Sequence, residues 1–235
     1  MPVLLLARGD QESKALLRRA IEARYGLGPP ALETLKLQLK GRVRTKVGPI
    51  TTWIPLEITA YFKFAFAVRW DYNAHPVGIP LSSGAEAFDG ETYRKRHSHD
   101  SISLLNTADE IASIRARLWA MSALLLTPLG EHFVELKAVG DRCLDATHRD
   151  MGLIARLQLK PDDMLDFVET RCLNPTTGSM QTFSVYALNG QQMVGDLILP
   201  RRMGIAWDKQ PEVEFTATAA QTNPAMDESV FKLEN

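Results

Sequence analysis

Only two of the 235 residues are cysteine, and Cys143 and Cys172 do not stand at the C-x-x-C spacing of a redox or zinc motif. Both fall in strand-like stretches, so a buried free thiol explains them at least as well as a disulfide. No run reaches the roughly 18 apolar residues that a membrane span needs; the longest lies between Leu118 and Leu126. Charge of one sign is equally scarce. The 27 Lys and Arg balance 28 Asp and Glu to a net −1, with no long single-sign block, which excludes an evident footprint for nucleic acid or an anionic membrane surface. The densest basic cluster, Arg94, Lys95 and Arg96, has no interleaved aromatic platform and reads as a solvated strand end or turn.

Catalytic signatures are missing as well. There is no phosphate loop ending in Lys-Ser/Thr, no G-x-S-x-G elbow and no H-E-x-x-H. His97 and His99, with Asp100 beside them, would share one face of a strand and supply two metal ligands. No third histidine or cysteine stands at a fixed spacing, so a polar loop end is the better reading. Asp145, His148 and Asp150 form a potential acid/base set without a nucleophile near in sequence, and solvated turn residues account for them. Asn174 fails as a glycosylation acceptor because Pro175 follows it. The expectation is a protein without catalytic residues, metal or cofactor.

What the chain does have is alternation interrupted by one strong helix. Ile111, Ile114, Leu118, Met121 and Leu125 form a single apolar stripe within Asn106 to Gly130, broadened by Trp119, Leu124 and Leu126, with Arg115 and Arg117 on the polar side. Thr107 and Glu110 fit a capping box, and Pro128 with Gly130 stops the run. The helix is expected to be about 30 Å long. A first helix is predicted over Gln11 to Tyr25, with Asp10 as N-cap, Leu17, Ala20, Ile21 and Tyr25 on one face, and Gly26 past the end. The stretch before Asp10 is an apolar extension or the remnant of a signal peptide.

Between and after the helices the pattern is that of strands. Leu35, Leu37, Leu39 and Val43 alternate with Lys and Arg. A second strand lies within Ile50 to Tyr61, with Pro55 marking it as an edge or an interrupted one. Phe62 to Tyr72 reads as one aromatic strand, followed by a loop around His75, Pro76, Gly78 and Pro80 and a hairpin at Asp89-Gly90. Later strands are predicted over Phe133 to Val139, Leu153 to Leu159, Leu165 to Arg171, Thr182 to Leu188, Met193 to Leu199 and Val213 to Ala219. Asn189-Gly190 is the strongest hairpin signal among them.

About ten strands joined by short turns make a meander too long for a flat sheet, so a half-open antiparallel β-barrel with an N-terminal helix and a central lid or plug helix follows, as one domain over residues 1 to 235. Leu35, Leu37, Leu39, Phe64, Phe66, Val68, Trp70, Phe167, Phe183 and Val185, with the helix residues Ile114, Leu118, Trp119, Met121 and Leu125, are candidates for a concave apolar face. Such a face encloses either packed side chains or a ligand.

The order of elements resembles the LolA/LolB-like lipoprotein-carrier superfamily: an N-terminal helix, a meander, FDG before a central helix, more strands, then VEFTATAAQTNPAMDESVFKL. In that tail a strand followed by Asn223, Asp227 and Phe231 is similar to the superfamily's closing pattern, and FAFAVRW places Arg69 at the position of its arginine. The resemblance implies a non-enzymatic carrier in the periplasm or envelope that holds the acyl chain of a lipid or acylated protein in its barrel, with Arg69 tying the lid helix to the barrel. The alternative is an envelope assembly protein with a filled interior and a protein-binding face.

Overall fold

The computed structural model describes residues 6–47, 49–75, 82–98 and 101–234. The expectations placed on His99, Asp100, and the loop positions Pro76, Gly78 and Pro80 lie outside them, as do residues 1–5 of the N-terminal extension. Helix α1 (Gln11–Tyr25) has its predicted bounds, with the Asp10 carboxylate accepting the Ser13 N–H and Gly26 closing the helix at φ 62°. Then come β1 (Thr34–Val47), β2 (Ile50–Lys63), β3 (Ala67–Ala74), β4 (Ser82–Phe88), β5 (Tyr93–His97) and β6 (Ser103–Leu104). Helix α2 (Ala108–Leu124) and a 3-10 turn (Thr127–Gly130) follow. The second run is β7 (Val134–Gly140), β8 (Cys143–His148), β9 (Leu153–Leu159), β10 (Leu165–Asn174), β11 (Ser179–Val194), β12 (Leu197–Trp207) and β13 (Gln210–Thr222), with a closing 3-10 turn at Glu228–Phe231.

These strands form one antiparallel sheet of 13 in the order β6-β5-β4-β3-β2-β1-β13-β12-β11-β10-β9-β8-β7. It is two meanders joined at the middle, where the first and last strands pair from Leu35 opposite Thr222 to Val43 opposite Val213. Its two ends, β6 and β7, do not pair with each other, so the barrel is half open. α2 carries the chain from one end to the other. Arg8 adds a single parallel bridge along the outer edge of β7, donating to the Val134 carbonyl at 2.8 Å and accepting from Leu136 at 2.8 Å, which covers part of an exposed edge.

Several expectations change at residue level. Phe62 to Tyr72 is not one strand: the chain reverses at residues 64–66, and Phe62 stands opposite Val68. The residue numbers of each cross-strand pair add to an even total, so both arms show the same alternating parity and the reversal leaves no break in the pattern. Asn189-Gly190 is not a hairpin turn. Both residues have positive φ, 61° and 76°, but they form a bulge inside β11, between Leu188 opposite Arg202 and Gln191 opposite Pro200. The turn comes at Gly195-Asp196, where Val194 pairs with Leu197.

Pro55 neither ends nor interrupts β2. Its missing N–H falls where β3 has run out past Ala74, and its carbonyl still accepts from His75 at 3.0 Å. The segment around Asp145 and His148 is strand β8 rather than a solvated turn. Asp145 pairs with Arg156 across the ladder at 2.7 Å, while His148 is only 1% exposed.

Sharp curl is helped by two glycines that sit opposite tyrosines, Tyr72 over Gly84 and Tyr186 over Gly204. A Cβ on Gly204 would lie 2.0 Å from the Tyr186 ring, so the phenol can lie flat on the neighbouring strand only there. α2 packs against β9, β10 and β11, with α1 covering the β7 and β8 end.

In this part of the core His148 stacks on Phe133 at 4.7 Å and meets Trp119 edge-on at 5.3 Å. Burial lowers its pKa below the ordinary 6.5, with Asp150 opposing only in part. The unfolded chain therefore binds a proton that the folded one refuses, and stability falls as pH drops through the ordinary histidine range towards the depressed value. The urea midpoint is expected to fall between pH 7.5 and pH 5.5, and His148→Phe to flatten that fall. An unchanged pH profile in the variant would assign the acid sensitivity elsewhere.

Candidate ligand-binding cavity

Alternation on β1 turns Leu35, Leu37 and Leu39 inward, and on β2 it does the same for Leu56, Ile58, Ala60 and Phe62. Trp70, Tyr72 and Ala74 of β3 continue that face. α2 leans on the second meander, through β9 to β11, so it leaves the concave face of the first meander largely uncovered. A cavity of about 730 Å³ lies between them. Phe62 stacks on Phe64 at 5.6 Å at one wall, and Phe183 meets Trp207 at 5.1 Å at another. The lining reaches the exposed residues Lys46 and Thr176, where the cavity opens outward.

Of the residues expected at a ligand surface, Leu35, Leu37, Leu39, Phe64, Trp70, Met121, Leu125 and Phe183 line this cavity. Phe66, Val68, Ile114, Leu118 and Trp119 do not. Phe66 sits at the chain reversal, 50% exposed, beside Phe133 and His148. Val68, Ile114, Leu118 and Trp119 are wholly buried in packed core, and the Trp119 indole donates to the Ala146 carbonyl at 2.9 Å.

The helix is thus rotated relative to the expected stripe. Glu110, Ser113, Arg117, Met121 and Leu124 face the cavity, at spacings of three, four, four and three. The most apolar side is pressed on the sheet, and Arg117, expected on a solvated face, is only 7% exposed. The predicted cap is present: Thr107 accepts the Glu110 N–H while Glu110 accepts the Thr107 N–H at 3.0 Å.

Arg69 holds a different helical end from the one expected. It pairs with Asp71 at 3.0 Å and donates to the Val230 carbonyl at 3.1 Å, on the closing 3-10 turn. This clasp also explains the tail pattern. Asn223 accepts from Glu33 N–H at 2.8 Å and donates to the Ala31 carbonyl at 2.7 Å, Asp227 caps the turn through Ser229 N–H at 2.8 Å, and Phe231 is buried. The carbonyls at the C-terminal end of α2 are taken instead by α1: Arg24 Nη1 donates to Leu124, and Tyr25 Oη to Leu125 at 3.0 Å. Arg24 at the basic last turn of α1 was the available signal, but an arginine there also suits the helix dipole alone.

The cavity has one polar end. Lys95 and Glu86 pair at 2.9 Å, the Tyr93 hydroxyl donates to Glu86, and Arg117 Nη2 reaches Tyr93 Oη at 3.4 Å. Burial pushes Glu86 up, but Lys95 and Arg117 outweigh it and hold the carboxyl below its usual range. Burial raises Glu212, whose carboxylate accepts from the Trp207 indole at 3.0 Å. The basic cluster therefore splits: Lys95 points inward, whereas Arg94 pairs with Asp89 at 2.6 Å and Arg96 reaches the Glu234 carbonyl at 3.4 Å. His97 Nδ1 lies 3.3 Å from Tyr72 Oη, and among the described residues no group of three His, Cys, Asp or Glu is placed to hold a metal ion. Cys143 and Cys172 are free thiols.

No family model matches the chain, and no curated protein does. Among solved structures it is similar to a LolA superfamily protein from Nitrosomonas europaea, with TM-score 0.50 and 11% identity over 94% of this chain and 97% of that one. It is similar also to a DUF1329 family protein from Desulfovibrio piger, with TM-score 0.50 and 9% identity over 95% and 98%. The fold is LolA-like. No described helix is long and apolar enough to cross a membrane.

Arg24 is 4% exposed and fastens the end of α2, so Arg24→Met should destabilise the protein by about 2 kcal/mol, leaving a buried carbonyl unpaired, with Tyr25→Phe costing about 1 kcal/mol. Urea unfolding measures both. Arg69→Met should instead loosen the tail, read as faster proteolysis after Asn223 with α2 still protected.

Proposed function

We propose that this protein is a non-enzymatic carrier that holds the acyl chain of a lipid or acylated protein between α2 and the first meander, acting as one LolA-like domain in the periplasm or envelope. The observation that carries this reading is the cavity itself: about 730 Å³ of space walled by Leu, Ile, Phe, Trp and Met side chains. Its size suits a small-molecule site. Burial of each CH₂ contributes about 0.8 kcal/mol, so a chain of a dozen methylenes gains about 10 kcal/mol before the cost of association. Such binding needs no reacting group. The assembly-protein alternative rests on a filled interior, which open space of this size does not favour.

Ala60 and Ala74 line the cavity and are buried. Ala60→Phe would fill space rather than displace packed atoms, so it should leave the urea midpoint unchanged or raised. Titration with an uncharged fluorescent acyl ester should quench Trp70 and Trp207, which line the cavity, and Ala60→Phe should weaken that binding by about tenfold or more. Absence of binding to the native protein, or equal binding by Ala60→Phe, would overturn the carrier reading.

A further inference from the structure

The polar end of the cavity holds an arginine whose hydrogen bonding is incomplete. Arg117 is 7% exposed, lines the cavity, and among the described residues makes only one long hydrogen bond, 3.4 Å to Tyr93. Its Nε is buried without a partner, and no described carboxylate lies within ion-pair distance of it. Its charge persists: burial works against it, but Tyr93 and Glu86 outweigh that effect. The Nε is closed off from the cavity, so the guanidinium meets the lining through its Nη groups, and a carboxylate that reaches them is held by charge-assisted hydrogen bonds.

The neighbours narrow the choice of ligand. Lys95 and Glu86 neutralise each other at 2.9 Å. Glu212 faces Arg117 closely enough to be influenced by it, and is held by Trp207. Glu110, at the outer part of the same helix face, is engaged in its capping box. Arg117 is thus the cation at this end with no described carboxylate within ion-pair distance, and the two carboxyl groups nearby restrict it to a small monoanionic head and disfavour a dianion.

We propose that Arg117 recognises the free carboxylate of a long-chain acid whose hydrocarbon tail lies along the leucine-lined wall of the cavity. This rests on the carrier reading and adds a head-group preference to it. An apolar cavity alone binds an acid and its methyl ester through the same tail; the guanidinium charge separates them.

The experiment compares laurate with methyl laurate by displacement of the fluorescent acyl ester. The native protein should prefer laurate by about tenfold or more, and Arg117→Met should bring the affinities of acid and ester within about twofold of each other. A thermal melt of the variant establishes that it is folded. In parallel, the ¹³C-labelled carboxyl carbon of bound laurate should remain in its ionised position on titration below the pKa of the free acid, a reading that needs no variant. Equal affinities for acid and ester in the native protein, or a bound carboxyl that protonates at or above the free acid's pKa, would overturn the head-group preference while leaving the carrier reading intact. Failure of both ligands to bind would overturn the two together.

Discussion

The structure depends on a mismatch of size. A sheet of 13 strands curls around more space than one helix can occupy, whereas small barrels fill themselves with their own side chains. α2 must therefore choose a side. It lies against β9 to β11, where Ile114, Leu118 and Trp119 reach full burial, and the space left over becomes the cavity. The pairing of β1 with β13 fixes this arrangement, because it sets the two concave faces opposite each other. Those strands are 187 residues apart at the Leu35 to Thr222 pair, so the cavity depends on a contact that closes over a long loop.

The same geometry bears on whether α2 is a lid. Its body is buried on nearly every side, and its C-terminal end is clamped by Arg24 and Tyr25 of α1. Swinging it out would expose at least Ile114, Leu118 and Trp119, at about 1.5–3 kcal/mol for each side chain, besides stripping two hydrogen bonds. Displacement of that kind competes with much of a domain's stability. Access past Lys46 and Thr176 requires none of it. α2 is better understood as a fixed wall of the cavity.

Where each local rule had a local cause, the sequence was legible. Asp10 and Gly26 bound α1, Thr107 and Glu110 cap α2, Asp89-Gly90 turns β4 into β5, and Asn223, Asp227 and Phe231 each do a distinct job in the tail clasp. The failures share a reason: the pattern alone could not tell which partner a segment faces. The Phe62 to Tyr72 run keeps its parity through a hairpin. Asn189-Gly190 has the backbone that a tight turn needs but spends it on a bulge. The phase of α2 was misjudged because apolarity was equated with the ligand side. A helix between a dry sheet and a cavity buries both faces, so its hydrophobic stripe marks the tighter packing rather than the cavity. The burial of His148 is hidden likewise, because a histidine packed among aromatic rings looks in sequence like one in a solvated turn.

The polar end of the cavity follows from that helix phase. Once the apolar stripe is committed to the sheet, the next positions around the helix, Ser113 and Arg117, are turned towards the interior. Ser113 is satisfied by the Leu173 carbonyl at 2.6 Å. Arg117 is not satisfied in that way, and its buried charge is supported by Tyr93 and Glu86, which approach from β5 and β4 on the far meander. The cluster thus links α2 to β4 and β5 at one end of the cavity. A cavity built solely from hydrocarbon grades its ligands by area. A charge at one end of such a cavity adds a means of separating ligands by their heads.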